Sequence, residues 1–139
     1  MKYIFDGISL QNKRASNMDR LLMDNTGTIR TLSIHNGPEV RFYHRYTDDC
    51  SFELVAEWHI DEHANPIAFD ANNLYVFAVS NLGRNTNALV RMNPTTGEEL
   101  EVVFVREDVD ILGASVSAGR LTQVQYITDR VRWVFFCDM

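Results

Sequence analysis

Residues Phe69 to Val76 (Phe-Asp-Ala-Asn-Asn-Leu-Tyr-Val) line up with Val116 to Gln123 (Val-Ser-Ala-Gly-Arg-Leu-Thr-Gln) at an offset of 47, and a weaker copy, Met23 to Arg30, lies 46 residues before the first of these. A period of this length means that one supersecondary unit is used more than once, each copy leaving an apolar face for its neighbours to cover. Within and between the copies, apolar and polar residues alternate over short runs, the period-2 signature of half-buried strands. The runs are Thr28 to Ile34, Val40 to Arg45, Phe52 to Ile60, Pro66 to Asp70, Leu74 to Ser80, Ala88 to Met92, Leu100 to Arg106, Ala114 to Ser117, Leu121 to Thr128 and Val131 to Phe136. Between them lie turn clusters such as Asp24-Asn25-Thr26-Gly27, Asn36-Gly37-Pro38, Asn93-Pro94-Thr95-Thr96-Gly97 and Ala118-Gly119-Arg120, each with a residue that tolerates positive φ or a proline that fixes it.

A short strand, a turn and a longer strand recurring at about this spacing match the four-stranded blades of a β-propeller, whose repeats run roughly 40–50 residues. The expected fold is therefore all-β: a partial propeller of about three antiparallel blades in a single domain over residues 1–139, with ten or eleven strands, three sheets and almost no helix. Blade 1 is expected at about 20–60, blade 2 at about 66–106 and an incomplete blade 3 at about 111–136, with residues 1–12 a possible extra strand. On this register Phe69, Leu74, Val76, Leu89, Val116, Leu121, Val124 and Trp133 face the cores between sheets, and Trp58 fills the space between blades.

Composition narrows the class. Only 3 Pro and 7 Gly, scattered singly, leave no linker or low-complexity tract. A net charge of −6, with basic residues dispersed, argues against a nucleic-acid partner. The start, Met1 to Gly7, meets Asp6 before any apolar signal region forms, and no stretch approaches the ~20 apolar residues of a membrane span, so a cytoplasmic chain with no membrane partner is expected. Cys50 and Cys137 have no metal-type spacing and are not expected to pair.

Four stretches together resemble consecutive blades of the N-terminal propeller of prolyl oligopeptidase-like and acylaminoacyl-peptidase-like serine peptidases. They are Pro66 to Asp70, Leu74 to Thr86, Ala88 to Glu98 and Tyr126 to Phe136, within a similarity that spans Arg20 to Met139. What the resemblance implies is a filter or lid and no reaction, because the family's chemistry belongs to an α/β-hydrolase domain. That domain's serine, acid and histidine match no residue of this sequence, so no catalytic residue and no cofactor is expected.

Some motifs nevertheless invite chemistry. His59-Ile60-Asp61-Glu62-His63 spells H-x-x-E-H, which binds zinc when a helix places both histidines on one face beside a glutamate base. Here the string ends a strand and runs into Asn65-Pro66, so an inter-blade loop and no metal site is the expectation. Gly113-Ala114-Ser115-Val116-Ser117 falls one glycine short of a nucleophile elbow and no helix pattern follows it. His35 and His44 stand in or beside strands without a Ser–His–Asp constellation. The turn Asn81-Leu82-Gly83-Arg84-Asn85 carries an arginine on a rim loop, which makes Arg84 and Asn85 the candidate ligand-binding residues, Arg84 through a carboxylate.

The functional expectation is thus a non-catalytic binding or interaction module for a peptide or small molecule. Two alternatives are a fragment of a prolyl oligopeptidase-type peptidase with no independent role, and a small metal hydrolase using His59, Glu62 and His63. Because a partial propeller leaves apolar faces and strand edges bare, a homo-oligomer, most simply a dimer, is also expected. The strand-like run Tyr3 to Leu10 is free to supply an outer strand beside Val131 to Phe136, within its own chain or by exchange with a partner, and two protomers together approximate a six-bladed ring.

Overall fold

A computed structural model describes residues 19–136. Tyr3 to Leu10, expected as an extra strand, and Cys137 lie outside the described residues. Eleven strands follow in chain order: β1 (Arg20–Met23), β2 (Ile29–Asn36), β3 (Glu39–His44), β4 (Glu53–His59), β5 (Ala64–Phe69), β6 (Val76–Ser80), β7 (Ala88–Met92), β8 (Glu99–Phe104), β9 (Ile111–Ser117), β10 (Arg120–Ile127) and β11 (Val131–Phe135). All pairings are antiparallel and there is no helix among the described residues. Three meandering sheets result: β1-β2-β3-β4 (sheet 1), β5-β6-β7-β8 (sheet 2) and β9-β10-β11 (sheet 3).

Sheet 2 lies between the other two because its strands are apolar on both faces. The cross-strand pairs Val76 with Met92, Ala78 with Val90 and Ser80 with Ala88 point one way. There Phe69 and these residues meet Phe42, Ala56 and Trp58 of sheet 1, Phe42 stacking on Trp58 with ring centroids 5.9 Å apart. One residue out of phase, Phe77, Val79 and Leu89 point the other way, onto Ile111, Leu121 and Val124 of sheet 3. Strict alternation within β6 and β7 thus feeds two cores at once. Pro66 sits on β5, the edge strand of sheet 2, at a bulge where its missing N–H costs no ladder bond.

The repeated turns stack on one another at the end of the molecule we call lower. In the β1–β2 turn the Asp24 carboxylate accepts hydrogen bonds from the N–H of Thr26 (2.9 Å) and Thr28 (3.2 Å), and Gly27 takes φ +88°. In the β5–β6 turn Asp70 accepts from the N–H of Leu74 (3.1 Å) and Tyr75 (3.4 Å), and Asn73 takes φ +58°. Asn25 joins the two, its side-chain amide donating to the Asp70 carbonyl (2.7 Å) and to Asn73 Oδ1 (2.9 Å). Arg30 adds a bond to the Asn73 carbonyl (3.0 Å) and lies over the Phe69 ring at 4.9 Å. The β9–β10 turn presses against the β5–β6 turn at Gly119, where a Cβ would overlap the backbone of Asp70 and Ala71.

Two residues expected in the cores are not there. Leu74 is 60% exposed, because the third turn is tighter than the second: Ser117 pairs with Arg120 across two residues in the positive-φ region, Ala118 and Gly119, whereas Phe69 pairs with Val76 across a six-residue loop. The counterpart of Leu121 is therefore Val76, and Leu74 stays in the loop. Trp133 is 51% exposed, because it pairs with Gln125, one residue out of phase with the buried Val124. Strand β1 was absent from the ten runs anticipated; Leu22 alone of its residues packs against a core.

Two stability predictions follow from this packing. Phe69→Ala is expected to cost about 3–5 kcal/mol in urea unfolding, while Leu74→Ala stays within about 0.5 kcal/mol; equal losses would refute the register. Gly119→Ala must both hold φ +79° and displace the Ala71 backbone, whereas Gly37→Ala meets open space at φ +59° and carries only the left-handed penalty of about 1–2 kcal/mol. Gly119→Ala is therefore expected to be clearly the more destabilising of the two in the same assay.

Candidate functional site

The opposite, upper end carries the β4–β5 connection, the β6–β7 loop and the β8–β9 connection. Antiparallel pairing of β5 with β6 brings the first two together, since Ala64 pairs with Ser80. The amide of Asn81, just past β6, then serves as a clasp. Its Oδ1 accepts the His63 N–H (2.9 Å) and its Nδ2 donates to the Asp61 carbonyl (2.7 Å). Glu62 accepts the Gly83 N–H at 2.9 Å. The H-x-x-E-H string and the arginine-bearing turn, some twenty residues apart in sequence, thus form one rim.

The string does not assemble a metal-binding face. His59 ends β4 and bridges to Glu62 in an extended-turn geometry, its Nδ1 accepting the Asp61 N–H (3.1 Å) and lying 3.3 Å from the Asp61 carboxylate. His63 turns instead toward His35, the two rings meeting edge to face at 5.9 Å. Among the described residues, no three His, Cys, Asp or Glu side chains gather in a group that could hold a metal ion. Ser115 lies inside β9, its hydroxyl accepting from the Gln123 amide at 3.3 Å, and no strand-to-helix turn exposes it.

Arg84 already holds a carboxylate, and it belongs to this chain. Its guanidinium donates to Glu99 (2.8 Å) and to the Ser80 carbonyl (3.2 Å), while the Ser80 hydroxyl completes the group by donating to Glu99. The pair is about four-fifths buried, so Arg84 anchors the β6–β7 loop to β8. Asn85 is exposed beside it on the loop.

Between sheets 2 and 3 the same rim opens into a cleft of about 450 Å³. Three asparagines line it: Asn65 at the start of β5, Asn81 after β6 and Asn87 before β7; Ile67, Val79 and Ile111 supply apolar wall. Asn81 is committed to the clasp, whereas no hydrogen bond to the side-chain amides of Asn65 and Asn87 is present among the described residues. The Nδ1 of His63, also at this cleft, is buried without a hydrogen-bond partner. Asn81 heads the arginine-bearing turn singled out in the sequence, whereas Asn65 and Asn87 did not stand out there. The signal available was positional: each marks the upper end of a strand in sheet 2, where a buried run meets the rim.

A second cleft of about 420 Å³ lies at the lower end, where Arg91 lies 3.2 Å from Asp70 and 3.4 Å from Glu101, its buried Nε has no hydrogen-bond partner among the described residues, and Arg120 stands on the same lining. His44 borders a smaller one of about 300 Å³ with Tyr46, Cys50 and Thr95. Burial, and then the positive charge of Arg30, push the His44 pKa down to about 4. With Arg30 Nη2 3.2 Å from its Nε2, the ring is held neutral as an acceptor.

Compared with known protein families, curated proteins and solved structures, the chain matches none.

The His44 environment sets a pH dependence. Unfolded, His44 takes a proton near 6.5; folded, only near 4. Between these values the unfolded state holds more protons, so the contribution of His44 to stability is full above about 6.5 and is lost as the pH drops toward 4. His44→Gln is expected to flatten that part of the curve of unfolding free energy against pH; an unchanged slope would show that another group titrates there.

Proposed function

We propose that the chain is a non-catalytic binding module built from propeller-type blades, and that its ligand is an uncharged peptide or small molecule held in the rim cleft between sheets 2 and 3. The observation that carries this reading is the lining of that cleft. Asn65 and Asn87 bring amides with both donor and acceptor atoms to an otherwise aliphatic wall, the usual make-up of a specific small-ligand pocket. The asparagine amides carry no charge and are suited to hydrogen-bonding a neutral polar group, and His63, whose Nδ1 has no hydrogen-bond partner among the described residues, lines the same cleft. The carboxylates beside the cleft each accept a bond from within the chain, Glu62 from the Gly83 N–H and Asp110 from the Asn87 N–H at 2.6 Å.

The blade reading is supported by the sequential meander in each sheet, by face-to-face stacking in chain order and by the stacked turns that recur at 46–47 residues. It agrees with the resemblance to peptidase propellers, whose rims meet ligands or neighbouring domains. Arg84, held on Ser80 and Glu99, and Asn85 belong to the same rim but do not line this cleft.

The test is a titration of the ¹⁵N-labelled chain with a blocked, uncharged tripeptide, acetyl-Ala-Ala-Ala-amide, followed by amide shifts. Shifts are expected at Asn65, Asn81, Asn87 and Ile111 to Ala114, and are expected to vanish in Asn65→Leu/Asn87→Leu. Shifts confined to the lower cleft, or peptidase or esterase turnover that copurifies with the chain and persists after further purification, would overturn the reading.

A further inference from the structure

At the lower end the cleft of about 420 Å³ lies between sheet 2 and the β9–β10 turn of sheet 3. Phe77 pairs with Arg91 and Arg91 with Glu101, so these side chains form one row across β6, β7 and β8 on the face of sheet 2 that turns toward sheet 3. All three line the cleft. Arg120 stands on the sheet 3 side, and its place is fixed by the residue before it. Gly119 is buried at φ +79°, so close to the Ala71 backbone that a Cβ would overlap it.

A guanidinium carries hydrogen-bond donors and no acceptor, and the chain answers few of the donors gathered here. Arg91 gives Nη2 to Asp70 at 3.2 Å and Nη1 to Glu101 at 3.4 Å, one oxygen each, which is not the two-point pairing a guanidinium makes with a well-placed carboxylate. Its Nε is buried, and no acceptor among the described residues reaches it. Asp70 cannot make up the deficit, because its other oxygen caps the β5–β6 turn through the N–H of Leu74 and Tyr75. The exposed Arg120 has neither a hydrogen bond nor an ion pair among the described residues. A buried N–H without an acceptor is destabilising, and in a cleft beside a second, unpaired guanidinium it points to an acceptor that the chain does not itself supply.

We propose that the lower cleft is a second binding site, which takes a small carboxylate ligand between the guanidiniums of Arg91 and Arg120. The carboxylate engages Arg120 with both oxygens and displaces Glu101 from Arg91. Nε is covered where it stands, so Arg91 turns to offer it, and the long contact to the half-exposed Glu101 is the one that gives way. A single negative charge is specified. Arg91 and Arg120 already balance Asp70 and Glu101 on the lining, so a dianion such as phosphate meets two acids with nothing to offset its second charge. Phe77 adds apolar surface, which suits a carboxylate with a short aliphatic tail. The site lies at the opposite end of the molecule from the rim cleft and stands independently of ligand binding there.

The test is a titration of the ¹⁵N-labelled full chain with sodium butyrate, ionic strength being held constant with sodium chloride. Saturable shifts are expected at the backbone amides of Asn72, Gly119 and Arg120 and at the Nε–H signals of Arg91 and Arg120, with none at Asn65, Asn81 or Asn87. Arg120→Gln is expected to weaken butyrate by about tenfold or more. Arg120→Lys, which keeps the charge but loses the fork, is expected to weaken it as well, and is the variant judged if Arg120→Gln does not keep the wild-type circular dichroism spectrum. Glu101→Gln, which removes the competing acid, is expected to tighten butyrate by about threefold or more. Shifts that chloride alone reproduces, or an affinity that the judged Arg120 variant leaves unchanged, overturn the proposal. Phosphate that binds as tightly as butyrate at pH of about 8, where it is a dianion, overturns the assignment to a carboxylate. Shifts at the rim with the neutral tripeptide are expected to survive in Arg120→Gln, so failure of this site and failure of the rim reading are distinguishable.

Discussion

A sheet that is apolar on both faces cannot stand alone in water, and sheet 2 is such a sheet. Val76, Ala78 and Val90 on one side and Phe77, Val79 and Leu89 on the other all require cover. At about 25 cal/mol per Å² of apolar surface, leaving either side bare removes much of the driving force for folding. Sheets 1 and 3 are in this sense defined by the surfaces they cover. The rim cleft lies at the upper end of this second interface, where Asn65, Asn81 and Asn87 stand beside Ile67, Val79 and Ile111.

The lower ends are held by polar groups that operate as a set. Arg30 donates to the carbonyls of Arg45 and Asn73, lies 3.4 Å from Asp24 and 3.2 Å from His44, and covers Phe69. Burial alone would raise the Asp24 carboxyl, but hydrogen bonds from Thr26, Thr28 and Arg30 outweigh it and hold the group below its ordinary range. A buried guanidinium satisfied in several directions fixes the relative height of two sheets more sharply than apolar contact does, because its bonds are directional.

Much of the fold was legible in the sequence because strand alternation and turn chemistry are local. The Asp24 and Asp70 turns, 46 residues apart, build equivalent carboxylate caps, and ten of the eleven strands lie where the alternation puts them. Leu74 misled because sequence alignment at a constant offset cannot see that one turn closes on fewer residues than its counterpart. Trp133 misled because an aromatic residue in an alternating strand carries no label for which face is covered; only Val124 across the ladder decides it. The rim was legible in parts but not as a whole. His59 to His63 and Asn81 to Asn85 were both noticed, yet their union depends on β5 and β6 pairing in one register, and Asn65 and Asn87 gain meaning only from what faces them.

Every strand of the described chain pairs with a strand next to it in sequence, and the main contacts between sheets, β1 with β5 and β7 with β9, join neighbours in chain order. The molecule is therefore close to one-dimensional in its energetics, each unit's stability being its own plus that of the interfaces beside it. Loops to be closed during folding are short, which favours rapid assembly for an all-β chain. Opening can begin at either terminal sheet without the other. The middle sheet, having two interfaces to lose, is the last to exchange its amide protons with solvent and the first to be stranded when a neighbour is removed.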